Sequence, residues 1–271
     1  MSGRVVLVTG GNRGIGREIC RKLVAAGDKV LLTSRDVAAG SEAAEAIEKE
    51  VGVKGGCEVL HYDALDSQSA ELLVAAVAAK YSGKVDGLIN NAAVTFRERW
   101  DAESFQIGKT TNVDAPVALT QKLSPHLAPG CRIVMVSSGL GQLAEIPVES
   151  QYYSGMASAA TVEDLSAFRF LENDAMTDPP CILAPGRKNP VYRLTKAMLN
   201  RATQIFAQDA SFVERNISVN AVTPGWCRTD MGGPDAERSV EQGADAVIWV
   251  LNHPDPSPTG KFFRDGRSID W

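Results

Sequence analysis

The sequence predicts a doubly wound α/β fold, in which a parallel sheet carries helices on both faces. Short apolar runs of strand length alternate along the chain with longer amphipathic stretches, and this alternation is typical of right-handed βαβ units. The short runs are apolar on both parities, as expected for strands that are covered on both faces. With 271 residues the chain can bury one large core, and we predict a single domain over residues 1–271.

Seven runs have the length and composition of strands: 4–10, 29–35, 57–63, 85–92, 132–138, 217–224 and, with a weaker pattern, 261–266. Helical patterns lie between them at 15–27, 36–52, 67–80, 103–128, 192–211 and 239–252. In the first of these, Ile15, Ile19 and Leu23 form one apolar stripe. Gly27 then ends the pattern, as helix-terminating glycines do.

Residues 139–190 break this alternation. The segment begins with glycines and serines, carries one helical pattern near 161–173, and ends in the proline-containing stretches DPP and APGRKNP. A loop of this length inside a compact domain usually either carries function or contains elements that the pattern does not reveal. We therefore predict an inserted helical segment at about 139–190.

Composition argues against several classes of protein. The net charge is −5 and no basic cluster is long enough to follow phosphates, so we expect no nucleic-acid partner. No apolar run approaches the roughly 18 residues that a bilayer span needs, and the first one is too short for a signal peptide. Without a CxxC pair or metal-ligand spacing, we expect free thiols, no metal and a cytoplasmic protein. The residues concerned are Cys20, Cys57, Cys131, Cys181, Cys227, His61, His126 and His253.

The stretch TGGNRGIG can be a nucleotide-binding turn or an ordinary glycine-rich loop. It follows the first strand and opens the first helix. In that place Gly10 permits a tight turn, Gly14 lets backbone approach a pyrophosphate, and Gly16 allows close helix packing. The unpaired N–H groups at the helix start favour phosphate. We predict a dinucleotide site that includes Gly10, Asn12, Arg13, Gly14, Ile15 and Gly16.

The end of the second strand indicates which dinucleotide binds. NAD-binding domains commonly place an acidic residue there, whereas this chain has Ser34 followed by Arg35. Arg13 lies in the glycine turn, and two guanidinium groups near one ribose suit a 2′-phosphate. Asp36 weakens this argument, and the alternative is that both arginines are solvated surface residues. We predict NADP(H) as the cofactor.

A catalytic group is predicted from Tyr192 and Lys196, which form a YxxxK pair on one helix face, and from Ser138 at a strand end. A ketone that accepts hydride develops an alkoxide, which a tyrosine can protonate. A nearby lysine lowers the pKa of that tyrosine, and a serine hydroxyl can hydrogen-bond the developing oxyanion. By itself a YxxxK pair is a weak signal, and a strand-end serine more often bonds to backbone.

These motifs resemble those of the short-chain dehydrogenase/reductase family, whose glycine motif is TGxxxGxG, over roughly residues 5–265. The resemblance implies an Asn-Ser-Tyr-Lys tetrad, in which Asn112 of KTTNVDAP joins the three residues above and holds a water that extends a proton relay from the lysine. The stretch NNAA at 90–93 matches the family's NNAG, with alanine in place of glycine. The further cofactor contacts implied are Asp63 at the adenine, Asn90 through its backbone, the loop residues Pro224, Gly225, Cys227 and Thr229 at the nicotinamide, and Tyr192 and Lys196.

A closer resemblance is to the monomeric carbonyl reductases of this family, through TGGNRGIG, SRD and PGWCRTDMGGP. The 53 residues between Ser138 and Tyr192 fit that subgroup, in which an extra segment covers the helix face that other members use to form oligomers. The resemblance implies a Rossmann-like fold, a monomer, and NADPH-dependent reduction of a small-molecule ketone, aldehyde or quinone.

Trp226 and Met231 are candidates for an apolar substrate pocket, since aromatic and soft side chains suit flat ligands. The alternative is that Trp226 packs the loop after it. We expect the Cys227 thiol to be inert rather than reactive. Two other functions stay open: a non-catalytic NADP(H)-binding regulator, which the complete tetrad argues against, and an alcohol dehydrogenase that works in the oxidative direction.

Overall fold

The computed structural model describes residues 3–97, 99–170, 188–254 and 258–271. Within them eight strands form one sheet: β1 (Val5–Val8), β2 (Lys29–Ser34), β3 (Cys57–His61), β4 (Val85–Asn90), β5 (Leu127–Val136), β6 (Ser218–Val222), β7 (Phe262–Arg264) and β8 (Arg267–Ile269). Their order across the sheet is β3-β2-β1-β4-β5-β6-β7-β8, and neighbours are parallel except β7 and β8. This confirms the predicted doubly wound sheet.

Helices connect the parallel strands, and short polar side chains open many of them. Asp36 and Asp101, for example, accept hydrogen bonds from the first free N–H groups of the second and fourth helices, as N-cap residues do. The described helices are α1 (Gly14–Ala25), α2 (Val37–Val51), α3 (Ser67–Tyr81), α4 (Ala102–Lys109), α5 (Ala115–Leu123), α6 (Gln151–Ser158), α7 (Val162–Ser166), α8 (Pro190–Phe206), α9 (Ala210–Glu214) and α10 (Val240–Leu251).

Two apolar cores lie on opposite faces of the sheet, because successive side chains of a strand point to opposite faces. Leu7 and Leu31 belong to the core shared with α3, α5 and α8. Val6 and Val30 belong to the core shared with α1, α2 and α10. The apolar residues on both parities of the strands are thereby buried, as the sequence pattern predicts for a sheet with helices on both faces.

The predicted helix at 103–128 is wrong as a continuous element, because a π-helical turn at Thr110–Asp114 separates α4 from α5. Pro116 gives the physical reason. It lacks the N–H that a regular helix would donate to the carbonyl of Asn112, and the Ala115 N–H bonds to Thr110 five residues back. The helical turn that contains Asn112 therefore has one residue more than a turn of a regular α-helix.

The described part of the insertion contains two short 3₁₀ turns, Gly139–Gly141 and Leu143–Glu145, followed by α6 and α7. Both helices contact α8. The helix predicted near 161–173 is shorter than expected, and α6 was not predicted. Residues 171–173 of that helix and Cys181 lie outside the described residues.

The insertion packs against the rest of the protein through an aromatic cluster. The Trp100 ring lies 5.8 Å from Phe105 of α4, 6.0 Å from Tyr152 of α6 and 5.2 Å from Phe170. Edge and tilted contacts of this kind add to the free energy gained by burying the rings. The helices of the insertion are thus fixed to the helix that leads into the π-helical turn.

Other elements follow the prediction with shifted ends. The helix predicted at 192–211 begins at Pro190 and ends at Phe206, with α9 as a separate turn, and β8 was not predicted. Among the described residues, no helix is both long enough and apolar enough to cross a membrane.

Candidate active site

The glycine turn has the conformation and the close contacts that its sequence predicts. Gly10 and Gly14 have φ values of 64° and 54°, in the left-handed region that favours glycine. A Cβ on Gly16 would lie 2.1 Å from the Gly10 carbonyl oxygen. The first turn of α1 has neither a side-chain cap nor an acidic residue, so its start is suited to an anion.

Two residues that were not predicted from the sequence hold this turn in place. The Asn91 amide donates to the carbonyls of Thr9 at 2.9 Å and Gly10 at 3.2 Å. The Thr9 hydroxyl accepts from the backbone of Asn91 at 2.9 Å and Ala92 at 3.0 Å. The glycine turn is therefore fastened to the end of β4. The repeated asparagine in NNAA is the sequence signal that could have indicated this contact.

Asn90, the asparagine predicted to contact the cofactor, points into the interior. It is 4% exposed, and its amide contacts Thr120 Oγ1 at 3.2 Å and Met135 Sδ at 3.3 Å. Asn90 and Thr111 line a small cavity at the carboxyl end of the sheet. The side chain of Asn90 thus joins β4 to α5 and β5.

Two charged residues follow the end of β2: an arginine without a partner among the described residues, and a carboxylate that already accepts two hydrogen bonds. Arg35 is exposed. Asp36 Oδ1 accepts from Ala38 N at 2.9 Å and Ala39 N at 3.1 Å, so this carboxylate caps α2. The objection that Asp36 would repel a 2′-phosphate is weakened, since the helix start partly offsets its charge.

Arg13 and Asp63 lie at the carboxyl ends of β1 and β3, on either side of β2. Arg13 pairs with Asp230 at 2.8 Å, and both side chains are more than half exposed. Exposed pairs of this kind contribute little, so Arg13 can exchange this partner for a phosphate. Asp63 is half-buried, and its Oδ1 accepts from Leu65 N at 2.9 Å.

Ser138, Tyr192 and Lys196 come together where β5 meets α8. Tyr192 lies in the first turn of α8, which Asn189 and Pro190 open. Burial raises the pKa of Tyr192 to about 12, and its hydrogen bond with Ser138 acts in the opposite direction. Three of the four predicted tetrad residues are therefore in one group.

Lys196 lies below the Tyr192 ring and has lost most of its contact with water. Its Nζ is 5.6 Å from the ring centroid and donates to the Val136 carbonyl at 2.7 Å. Burial lowers the pKa of Lys196 to about 7. An ammonium group in this position favours a negative charge on the phenol oxygen.

Asn112, the fourth residue, uses its side chain to join two other elements. Its Oδ1 accepts from Val94 N at 2.8 Å, and its Nδ2 donates to Val94 O at 3.0 Å and Thr195 Oγ1 at 3.0 Å. Thr195 was not singled out in the sequence. Because the side-chain groups are engaged, any water held by Asn112 is left to its backbone carbonyl, which lacks the regular helical donor at Pro116.

The loop after β6 packs over the glycine turn. Thr229 Cγ2 lies 3.4 Å from the place of a Cβ on Gly14. Gly225 has a φ of 80°, and Pro224 is buried. The Cys227 thiol donates to Pro224 O at 3.5 Å. Burial raises the pKa of Cys227, so its thiolate is disfavoured at neutral pH.

Trp226 and Met231 are exposed on the same loop. Trp226 is 54% exposed, and its Nε1 donates to the Gly232 carbonyl at 2.9 Å. Met231 is 39% exposed. The loop thus holds the indole in place and leaves much of its ring accessible.

Comparison with known proteins agrees with this arrangement. The model of the family described as short chain dehydrogenase matches residues 4–166. The chain belongs to this family. It is therefore an oxidoreductase of the class that interconverts alcohol and carbonyl groups, and it has the Rossmann-like fold of short-chain dehydrogenases.

Relatives of this short-chain dehydrogenase match over nearly its whole length. Carbonyl reductase [NADPH] 1 of Sus scrofa is 33% identical over 99% of this chain and 94% of its own. (+)-Neomenthol dehydrogenase of Arabidopsis thaliana is 32% identical over 96% and 95%. The structure of salutaridine reductase from Papaver somniferum superposes with a TM-score of 0.83 at 26% identity, covering 97% of this chain and 99% of that one.

Proposed function

We propose that this short-chain dehydrogenase reduces the carbonyl group of a small-molecule ketone, aldehyde or quinone with NADPH, and that Tyr192 is the general acid. The observation that carries the proposal is the group of Ser138, Tyr192 and Lys196, in which a half-buried tyrosine has the serine hydroxyl and the lysine amine as neighbours. Relatives named as NADPH carbonyl reductases support the choice of cofactor and reaction.

The residues around the glycine turn fit a dinucleotide phosphate. The Gly10 and Gly14 conformations allow backbone N–H groups to approach a pyrophosphate, and Gly16, which has no space for a Cβ, lets α1 pack closely against the turn. The exposed Arg35 can bind a 2′-phosphate. Arg13 can bind it as well once it leaves its exposed ion pair with Asp230. We assign Asp63 to the adenine, Asn90 to the cofactor through its backbone, and residues 224–229 to the nicotinamide.

When bound, NADPH would supply a hydride to the substrate carbonyl carbon, and negative charge would develop on the carbonyl oxygen. The Ser138 hydroxyl hydrogen-bonds the carbonyl oxygen and stabilises the charge that develops there. The Tyr192 hydroxyl gives its proton to that oxygen, which yields the alcohol and leaves a phenolate. Lys196 stabilises the phenolate by its charge and supports the cofactor ribose. The backbone carbonyl of Asn112 holds the water through which the proton is restored.

The protonation states favour reduction over oxidation. Because burial raises the pKa of Tyr192 to about 12, the phenol is protonated at neutral pH and is ready to act as an acid. Lys196, whose pKa burial lowers to about 7, can take up and release a proton near neutral pH. Alcohol oxidation needs the opposite state of Tyr192 and is expected at higher pH.

The surroundings of the site suggest the substrate and the assembly. Trp226 and Met231 offer exposed apolar surface on the loop after β6, which suits a flat or cyclic carbonyl compound. The insertion helices α6 and α7 lie against α8, so we propose that they cover the face on which related proteins associate and that the protein is a monomer. We also propose that it is cytoplasmic.

The test is the loss of nicotinamide absorbance with NADPH or NADH and a panel of quinones, aldehydes and cyclic ketones. We expect turnover with NADPH in the wild type and at least a hundredfold lower kcat in Tyr192→Phe, which lacks the transferable proton. Tyr153→Phe, in the half-buried part of α6, is the matched control and should keep wild-type kcat. NADPH binding without turnover of any panel member would instead support either a regulatory protein or a selective reductase whose substrate lies outside the panel.

A further inference from the structure

Asn200 is a buried polar side chain that the proposed mechanism does not use. It lies on α8 one turn after Lys196 and two turns after Tyr192, and it is 3% exposed. Burying an amide costs free energy unless it is hydrogen-bonded. Its Nδ2 donates to the Gly141 carbonyl at 2.9 Å. Its Oδ1 has no hydrogen-bond partner among the described residues, so the single bond to Gly141 is the reason to look for a function.

The partner, Gly141, ends the 3₁₀ turn that carries the catalytic serine. Ser138 Oγ accepts from Leu140 N at 3.2 Å, and Ser138 O accepts from Gly141 N at 2.9 Å. These two bonds tie the orientation of Ser138 to the position of the turn. The carbonyl at the end of a short helix has no partner inside the helix, and the Asn200 amide supplies one.

The same turn presses directly on the backbone of α8. A Cβ on Gly141 would lie 2.6 Å from Lys196 Cβ and 2.8 Å from Ala197 N, so the contact leaves no free space. The Ser137 hydroxyl also reaches Lys196 O, but at 3.4 Å, which is long for a hydrogen bond. The Asn200 bond is the shorter of these two side-chain attachments between the turn and α8.

We propose that Asn200 is a positioning residue of the active site, which holds the Gly139–Gly141 turn against α8 so that Ser138 meets Tyr192. The inference rests on the proposed function, because Ser138 and Tyr192 are the residues through which Asn200 acts. Asn200 does not contact the reacting atoms, and its role differs from that of Asn112, which joins α8 to the loop after β4.

The first experiment compares Asn200→Leu with wild type. The variant keeps the branched shape and the number of heavy atoms of the side chain, and it removes the donor to Gly141. We expect kcat for carbonyl reduction to fall about tenfold, because a small displacement of an oxyanion donor is costly. The KM for NADPH should stay unchanged, since the glycine turn is held by other residues. Thr203→Val is the matched control, because Thr203 is buried on the same helix and bonds only within it, to Leu199.

A double-variant cycle separates positioning from general stability. If Asn200 acts through Ser138, Asn200→Leu should cost less than twofold in kcat when Ser138→Ala is already present. The pH profile of alcohol oxidation gives a second reading. The hydrogen bond with Ser138 lowers the pKa of Tyr192, so the acidic limb of the profile should move to higher pH in Asn200→Leu. A purely structural role would leave that limb in place.

Two results would overturn the inference: wild-type kcat in Asn200→Leu, or an undiminished loss in the Ser138→Ala background. If Asn200→Leu does not fold, Asn200→Ser serves in its place. If the wild type turns over no carbonyl compound, the proposed function fails but the inference can still be judged. Crystal structures of wild type and variant then show whether Ser138 Oγ moves away from Tyr192, and an unmoved Ser138 rejects the positioning role.

Discussion

Lys109 offers a sharp test of how the insertion is attached to the active-site helices. Its side chain is 3% exposed, and its Nζ lies 2.7 and 2.8 Å from the two carboxylate oxygens of Asp114. The same ammonium group donates to the carbonyl of Ser166, the last residue of α7, at 3.0 Å. The pair spans the π-helical turn that contains Asn112, so one side chain connects that turn to the insertion.

The variant Lys109→Met removes the charge and keeps most of the side-chain volume. Breaking a buried ion pair costs roughly 3–5 kcal/mol, because the remaining charge is left unpaired. The Asp114 side chain is 29% exposed, so water can partly solvate it again. We therefore expect the free energy of unfolding to fall by about 2–3 kcal/mol, including the bond lost at Ser166.

Urea unfolding followed by circular dichroism measures this change. Lys122→Met is the matched control, because Lys122 pairs with Glu71 at the surface and should cost less than about 0.5 kcal/mol. Adding Asp114→Asn to Lys109→Met should recover part of the loss, since no charge then remains unpaired. Equal effects of Lys109→Met and Lys122→Met would refute the reasoning from burial.

Three further predictions concern the cofactor site and the helix caps. Gly16→Ala places a methyl group 2.1 Å from Gly10 O, so the dissociation constant for NADPH should rise at least tenfold in fluorescence titrations; an unchanged constant would contradict the assigned turn. Arg35→Ser should lower kcat/KM at least tenfold with NADPH but not with NADH; equal losses with both would argue against a 2′-phosphate contact. The Ser104 backbone N–H holds the pKa of the Asp101 carboxyl below its usual value. The ionised carboxylate therefore stabilises the fold fully at pH values above the usual pKa, and this stabilisation is lost as the pH falls through the lowered pKa. The stability gap between wild type and Asp101→Asn should therefore close in acid, and a gap that is constant with pH in urea unfolding would be inconsistent with this cap.

The features that local sequence determines were predicted well. The glycine turn needs backbone conformations that glycine adopts readily, so the glycine spacing after β1 indicated the turn in the sequence. The strands are apolar at both odd and even positions, and this pattern predicted a sheet with helices on both faces. Tyr192 and Lys196 share a helix face by spacing alone, and the structure places them beside Ser138.

Features that depend on tertiary register were missed. Asn90 and Asn91 are adjacent in sequence, but neighbouring strand residues point to opposite faces, and Asn91 fastens the glycine turn. The π-helical turn arises from Pro116 in combination with the packing of α4, so periodicity over 103–128 suggested one helix. Thr195 and Asn200 became visible only when their distant partners were known.

The π-helical turn also limits how this chain can change in length. Removing one residue between Thr110 and Asp114 would take the extra residue out of the turn, and it would rotate α4 by about 100° relative to α5. Gly108, where a Cβ would lie 2.4 Å from Val191, would turn away from the helix it now touches. Laboratory evolution of this protein should therefore accept almost no deletions in the turn.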